Sequence, residues 1–141
     1  MIKKKKLNIA IIGLGNIGVF LYSYLNKFKN QLKKKTNVEL KIAYVSAKNK
    51  NKKRKIKINK KLWLKNYIDA ADKKDVDIIV ELIGGSEGPA KKLVYKALKN
   101  KKHVVTANKA LIAKYGDDLS KIAEKNKVNL EFEAAVCGGV P

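Results

Sequence analysis

Near the amino terminus, Gly13-Leu14-Gly15-Asn16-Ile17-Gly18 places glycine at the first, third and sixth positions of a six-residue run. The apolar segment Leu7-Asn8-Ile9-Ala10-Ile11-Ile12 leads directly into it. A strand that delivers G-x-G-x-x-G into a helix sets a dinucleotide pyrophosphate on the backbone N–H groups of the helix N-terminus. Gly13 then permits the turn, Gly15 lets a phosphate approach the backbone, and Gly18 lets helix and strand pack closely. All six residues are candidate cofactor-binding residues. A tight turn without a ligand is the other reading of the glycines alone.

An NAD site commonly closes its second strand with an acid that accepts from the ribose 2′-OH. No Asp or Glu occurs between Glu39 and Asp69, and Ser46-Ala47-Lys48-Asn49-Lys50 stands in the expected place. A 2′-phosphate would meet a hydroxyl and a cation there, in one of the stronger classes of hydrogen bond. Ser46 and Lys48 therefore point to NADP, with NAD as the alternative and a merely solvated lysine run as the competing explanation. Leu82-Ile83-Gly84-Gly85-Ser86 follows another apolar run, and Ile83 and Gly84 are expected beside the nicotinamide half of the cofactor. Thr106-Ala107-Asn108-Lys109-Ala110-Leu111 follows a fourth. Lys109, set among apolar neighbours, is a candidate for cofactor contact and for proton transfer, because partial burial suits a lysine to acid–base work. His103 opens a strand at the far edge and reads as structural.

These residues need elements to position them. Ile17, Leu21, Tyr24, Leu25 and Phe28 recur at helical spacing after the glycines. Residues 40–45 read as a strand, 46–61 as an exposed loop and 63–71 as a short helix. Residues 76–82 are nearly continuous apolar sequence, as in a strand buried on both faces of a parallel sheet. Pro89 suits a first helical turn, and Leu93, Val94, Ala97 and Leu98 give that helix its inner stripe. Residues 103–106 form a further strand, Asp117 or Asp118 caps a helix with Leu119, Ile122 and Ala123 inside, and residues 128–132 form the last strand. Alternation of this kind predicts an α/β fold, a doubly wound (Rossmann-type) parallel sheet with helices on both faces. The expected strand order is 3-2-1-4-5. Residues 1–134 make the nucleotide-binding domain, and 135–141 begin a crossover into a further domain.

With 141 residues, the chain makes one domain, long enough to bury roughly two-thirds of its unfolded surface. Its net charge of +21 is extreme, yet among 33 basic residues only Arg54 is arginine. Readers of base edges favour the arginine fork, so no nucleic-acid partner is expected. A nucleotide-sensing module that binds nucleic acid through its lysines is the rival of a different class. Cys137 is the single cysteine; it forms no internal disulfide, fits a reducing cytoplasm, and reads as a small buried hydrophobe with no activating base nearby in sequence. No apolar run approaches the ~18 residues of a membrane span.

Four blocks together resemble the cofactor-binding half of the homoserine dehydrogenases. They are the glycine run, Val80-Glu81-Leu82-Ile83-Gly84-Gly85, Lys102-His103-Val104-Val105-Thr106-Ala107-Asn108-Lys109-Ala110-Leu111, and Phe132-Glu133-Ala134-Ala135-Val136-Cys137-Gly138-Gly139-Val140-Pro141. The resemblance implies reversible NAD(P)-dependent interconversion of homoserine and aspartate 4-semialdehyde, on the route from aspartate to threonine and methionine. It assigns Lys109 to proton transfer beside the nicotinamide. It also implies a sodium site with oxygens from Glu133, Val136, Gly138 and Val140, as suits a hard cation. The second catalytic lysine, the acidic residues for the substrate amino group and the homodimer contacts of that family fall beyond Pro141, so the fragment alone is expected to be inactive. Cys137 and Lys48-Asn49 depart from the family pattern, the latter replacing an arginine-aspartate pair. Aspartate-semialdehyde dehydrogenase is the rival enzyme reading, but it needs a nucleophilic cysteine that Cys137, in its glycine turn, is badly placed to supply.

Overall fold

A computed structural model describes residues 5–132. Five parallel strands make one sheet: β1 (Lys5–Ile12), β2 (Val38–Ser46), β3 (Ile78–Glu81), β4 (His103–Thr106) and β5 (Leu130–Glu131). Three helices accompany them, α1 (Asn16–Thr36), α2 (Pro89–Lys99) and α3 (Lys109–Lys125). Side chains alternate across β1, so Ala10 and Ile12 join one core and Ile9 and Ile11 another. The first core is closed by Leu93, Val94, Ala97 and Leu98 of α2 and by Leu111, Leu119 and Ala123 of α3. The second is closed by Tyr22 of α1, with Leu21 and Leu25 packed against it. Truncating a fully buried leucine such as Leu93 to alanine would cost about 2–5 kcal/mol.

The sheet order is β2-β1-β3-β4-β5, which corrects the expected 3-2-1-4-5. The place outside β2 holds one parallel bridge, Val45 with Trp63, in which the Leu64 N–H donates to the Val45 carbonyl at 2.9 Å. The chain then turns through two short 3-10 segments, Lys60–Leu62 and Tyr67–Asp72, where a single short helix over 63–71 was expected. Ala70 and Ala71 pack into the α2–α3 core. The connection therefore returns across the face opposite α1, and β3 enters on the free side of β1. Crossovers of one hand that leave β1 in opposite directions require this. The strand order reverses between β1 and β3, the position at which open α/β sheets bind ligands.

Two other expectations need correction. Asn108 caps α3 by accepting from the Leu111 N–H, so the helix starts eight residues before Asp117; Asp117 and Asp118 lie inside it. In α1, Gly18 and Tyr22 face inward, whereas Ile17 and Tyr24 face outward with Phe20, at 63%, 41% and 68% exposure. Gly18 decides that rotation, because it alone fits against the preceding turn. Phe20, Tyr24 and Phe28 lie ring beside ring along the outer face, at centroid separations of 5.9 and 4.7 Å.

Candidate functional site

Three turns meet at the carboxyl edge of β1, β3 and β4. In the first, Gly13 has φ +110° and donates its N–H to the Ser46 carbonyl at 2.9 Å. A Cβ on Gly13 would stand 2.5 Å from the Leu82 carbonyl oxygen, and one on Gly18 would stand 2.0 Å from the Gly13 oxygen. A Cβ on Gly15 would meet nothing within 4 Å. Gly18 is required by close packing, Gly13 by its positive φ and by close packing together, and Gly15 faces open space. Gly15 is also the N-cap of α1, with no side-chain cap and no acid in the first turn. The leading N–H groups of a helix have no intrahelical partner, and an anion suits them electrostatically. Leu14 is buried beneath the turn, while Asn16 and Ile17 are exposed at its mouth. The residues present fit a dinucleotide pyrophosphate.

The second turn follows β3, with Gly84, Gly85 and Gly88 all at positive φ. Glu81, fully buried, accepts from the Ile83 N–H at 2.6 Å and the Gly84 N–H at 3.1 Å. The third turn follows β4, where the Asn108 Nδ2 donates to the Gly85 carbonyl at 2.6 Å. Ile17, Glu81, Leu82, Ile83, Gly84, Ala107 and Asn108 line a cavity of about 210 Å³ between the turns. Lys109, next in the chain after the lining residue Asn108, begins α3 and is exposed. The partial burial expected for it is not found, because in the first turn of α3 Leu111 takes the inward position and Lys109 the outward one.

Ser46 and Lys48 sit beside the glycine turn. Ser46 is 6% exposed, and its carbonyl holds Gly13; Lys48 is exposed. The loop after them is braced by a residue whose role the sequence reading missed. Arg54 donates through Nε to the Leu14 carbonyl at 3.1 Å and through its terminal nitrogens to the carbonyls of Asn49, Lys50 and Lys52. Its guanidinium and the Lys50 ammonium each lie 5.5 Å from the Trp63 ring. That Arg54 is the lone arginine among many lysines was the available signal, since a planar fork serves several fixed carbonyls where an ammonium does not.

Glu87 ties the far end of the glycine loop to both helices, through Lys91 at 3.3 Å, Lys114 at 2.7 Å and the Tyr115 hydroxyl. Hydrogen bonds from Lys114 and Tyr115, then Lys91, hold its carboxyl down at about 2. His103 lies at the opposite edge, where its Nδ1 accepts from the Asn129 N–H at 3.0 Å. Glu133, Val136, Gly138, Val140 and Cys137 lie outside the described residues. Among the described residues no cluster of His, Cys, Asp or Glu offers a metal site, and no helix is long and apolar enough to cross a membrane.

Fold and turns together define a Rossmann-type nucleotide-binding domain. The family model described as "Homoserine dehydrogenase, NAD binding domain" matches residues 13–133. The homoserine dehydrogenase of Neisseria gonorrhoeae is 39% identical over 97% of this chain, and that of Bacillus subtilis 36% over the same share. A crystal structure of S. aureus homoserine dehydrogenase at pH 8.5 superposes with TM-score 0.88 at 38% identity, covering 97% of this chain and 34% of that one. A hyperthermophilic archaeal homoserine dehydrogenase in complex with NADPH shares the fold, with TM-score 0.73 at 20% identity, over 93% of this chain and 44% of that one. The chain belongs to the homoserine dehydrogenase family, whose NAD-binding domain it carries. It spans 31% of the length of the Neisseria and Bacillus relatives. This membership sets aside the aspartate-semialdehyde dehydrogenase reading.

Proposed function

We propose that this chain is the NADP-binding part of a homoserine dehydrogenase, and that in the complete enzyme it serves the reversible oxidation of L-homoserine to aspartate 4-semialdehyde. The observation that carries this reading is the convergence of Ile17 of the glycine run, the Glu81–Gly84 turn and Asn108 on one cavity, with Lys109 the next residue at the start of α3. Residues 1–134 form the cofactor domain, and 135–141 lead toward a substrate and dimerisation domain.

Gly13 to Gly18 and the open N-terminus of α1 hold the pyrophosphate. Lys48, exposed just past β2, meets the 2′-phosphate, with Ser46 beside it. Ile83 and Gly84 border the nicotinamide half. When bound, the nicotinamide supplies hydride exchange with C4 of homoserine. Lys109 takes the hydroxyl proton as the alcohol becomes the aldehyde and returns it in reduction. The sodium ion suggested by the resemblance falls on residues outside those described, and no step depends on it.

Support for NADP over NAD comes from the end of β2, which presents Lys48 and no acid. The lysines belong to this reading as a solvated surface, several of them already paired: Lys33 with Glu39 at 2.9 Å and Lys96 with Asp72 at 2.5 Å. Neither a nucleic acid nor a membrane is a partner in it; the place of action is the cytoplasm, on the route to threonine and methionine. The test is a fluorescence titration of the chain with NADPH and NADH. Saturable binding with NADPH tighter is expected; tenfold preference for NADH would overturn the assignment of Lys48, and binding of neither would overturn the whole reading.

A further inference from the structure

Glu81 has no counter-cation among its contacts, although it is fully buried. A buried carboxyl is costly to keep unless hydrogen bonds satisfy it, and here they do so in a closed circuit. Its Oε2 accepts from the Thr106 hydroxyl at 2.5 Å. The Thr106 oxygen accepts in turn from the Asn108 N–H at 3.1 Å. Asn108 donates from Nδ2 to the Gly85 carbonyl at 2.6 Å. One residue back, the Gly84 N–H returns to Glu81 Oε1, as does the Ile83 N–H.

The N–H groups of this circuit have one direction. The Thr106 hydroxyl, receiving from Asn108, has its proton free for Glu81, and backbone amides can only donate. Oε1 of Glu81 therefore accepts two backbone bonds, and Oε2 is the partner of the Thr106 hydroxyl. Asn108 is at the same time the cap of α3, accepting from Leu111 N–H at 3.1 Å, and Lys109 is the next residue. The circuit thus locks the Ile83–Gly85 backbone to the head of α3, and none of its hydrogen bonds involves the Gly13 turn.

We propose that Glu81 is a positioning residue for the nicotinamide half of the site, holding the glycine loop and the N-terminus of α3 in one fixed relation through Thr106 and Asn108. This rests on the dinucleotide reading above. It divides the site into two parts that differ in their support: an adenosine and phosphate part built on Gly13–Gly18 and the end of β2, and a nicotinamide part built on Glu81.

The test compares two ligands on the intact chain, NADPH and 2′,5′-ADP, which has the adenosine and 2′-phosphate but no nicotinamide. In Glu81→Gln the dissociation constant for NADPH is expected to rise about tenfold or more, the scale of one buried hydrogen-bond partner left unsatisfied, while that for 2′,5′-ADP stays the same. Thr106→Val is expected to do likewise, and Thr106→Ser, which keeps the hydroxyl, to restore parental binding. Should Glu81→Gln fail to fold, the threonine pair carries the test. Equal weakening of both ligands would make the circuit a general structural feature and overturn the proposal, as would no change in either. If the unaltered, folded chain binds neither ligand, the dinucleotide reading itself falls, and the positioning role with it.

Discussion

Arg54 donates through Nε to the carbonyl of Leu14, forty residues earlier in the chain, at 3.1 Å. That one contact joins the lysine loop after β2 to the glycine turn after β1, the two segments proposed to face the same end of a dinucleotide. Arg54→Ala is expected to weaken NADPH binding and to lower stability by about 1.5–3 kcal/mol, the range for hydrogen bonds from a charged donor. Urea unfolding and a parallel titration measure the two effects. Arg54→Lys should recover little, because one ammonium cannot serve four separated carbonyls.

The glycine run offers a contrast within six residues. Gly18→Ala forces a Cβ to within 2.0 Å of the Gly13 oxygen, and the overpacking is expected to cost about 1–3 kcal/mol or more. Gly15→Ala meets no protein atom within 4 Å. Its thermal midpoint should match the parent, while NADPH affinity falls because the new methyl occupies the phosphate's approach. Equal melting curves for the two variants would contradict this division.

Lys48→Ala should narrow the difference between cofactors. Loss of a charge-assisted contact predicts roughly tenfold weaker NADPH binding and unchanged NADH binding. The ratio of the two dissociation constants is the quantity to measure.

In the complete enzyme, Lys109→Ala is expected to lower kcat by roughly 10²–10⁴, as loss of an acid–base group does. KM for the cofactor should change little, since the proposed pyrophosphate and ribose contacts are Gly13 to Gly18, Ser46 and Lys48. An unaltered kcat would return Lys109 to the role of an ordinary surface lysine.

Glu87 gives a pH dependence. Its carboxyl is held at about 2 in the folded chain, chiefly by Lys114 and Tyr115, against an ordinary 4.5. A depressed carboxyl contributes stability that is fully present above the unfolded value and is lost as pH falls through the folded one. Acid unfolding of the parent should therefore include a loss between about pH 4.5 and about pH 2 that Glu87→Gln lacks. Urea midpoints of both proteins across that window provide the comparison.

Local chemistry was legible in the residues themselves. The apolar run into Gly13, the Pro89 start of α2 and the stripe Leu93, Val94, Ala97 and Leu98 each follow from short-range geometry, so spacing alone revealed them. The parallel α/β architecture and the family blocks were readable for the same reason. Where two segments had to choose between neighbours, spacing was silent. Nothing in residues 76–82 says which side of β1 they will pair with; the Trp63 bridge and the packing of Ala70 and Ala71 decide it. The outward turn of Ile17 and Tyr24 likewise depends on Gly18 meeting Gly13 across the turn. Arg54 and Leu14, or Glu81 and Thr106, are far apart in the chain and share no periodicity. The sequence by itself determined the kind of ligand edge this protein builds, because glycine spacing and strand–helix alternation are local properties. Only the tertiary structure decided which turns are tied together there, because a buried carboxylate or a guanidinium finds its partners through the folded backbone.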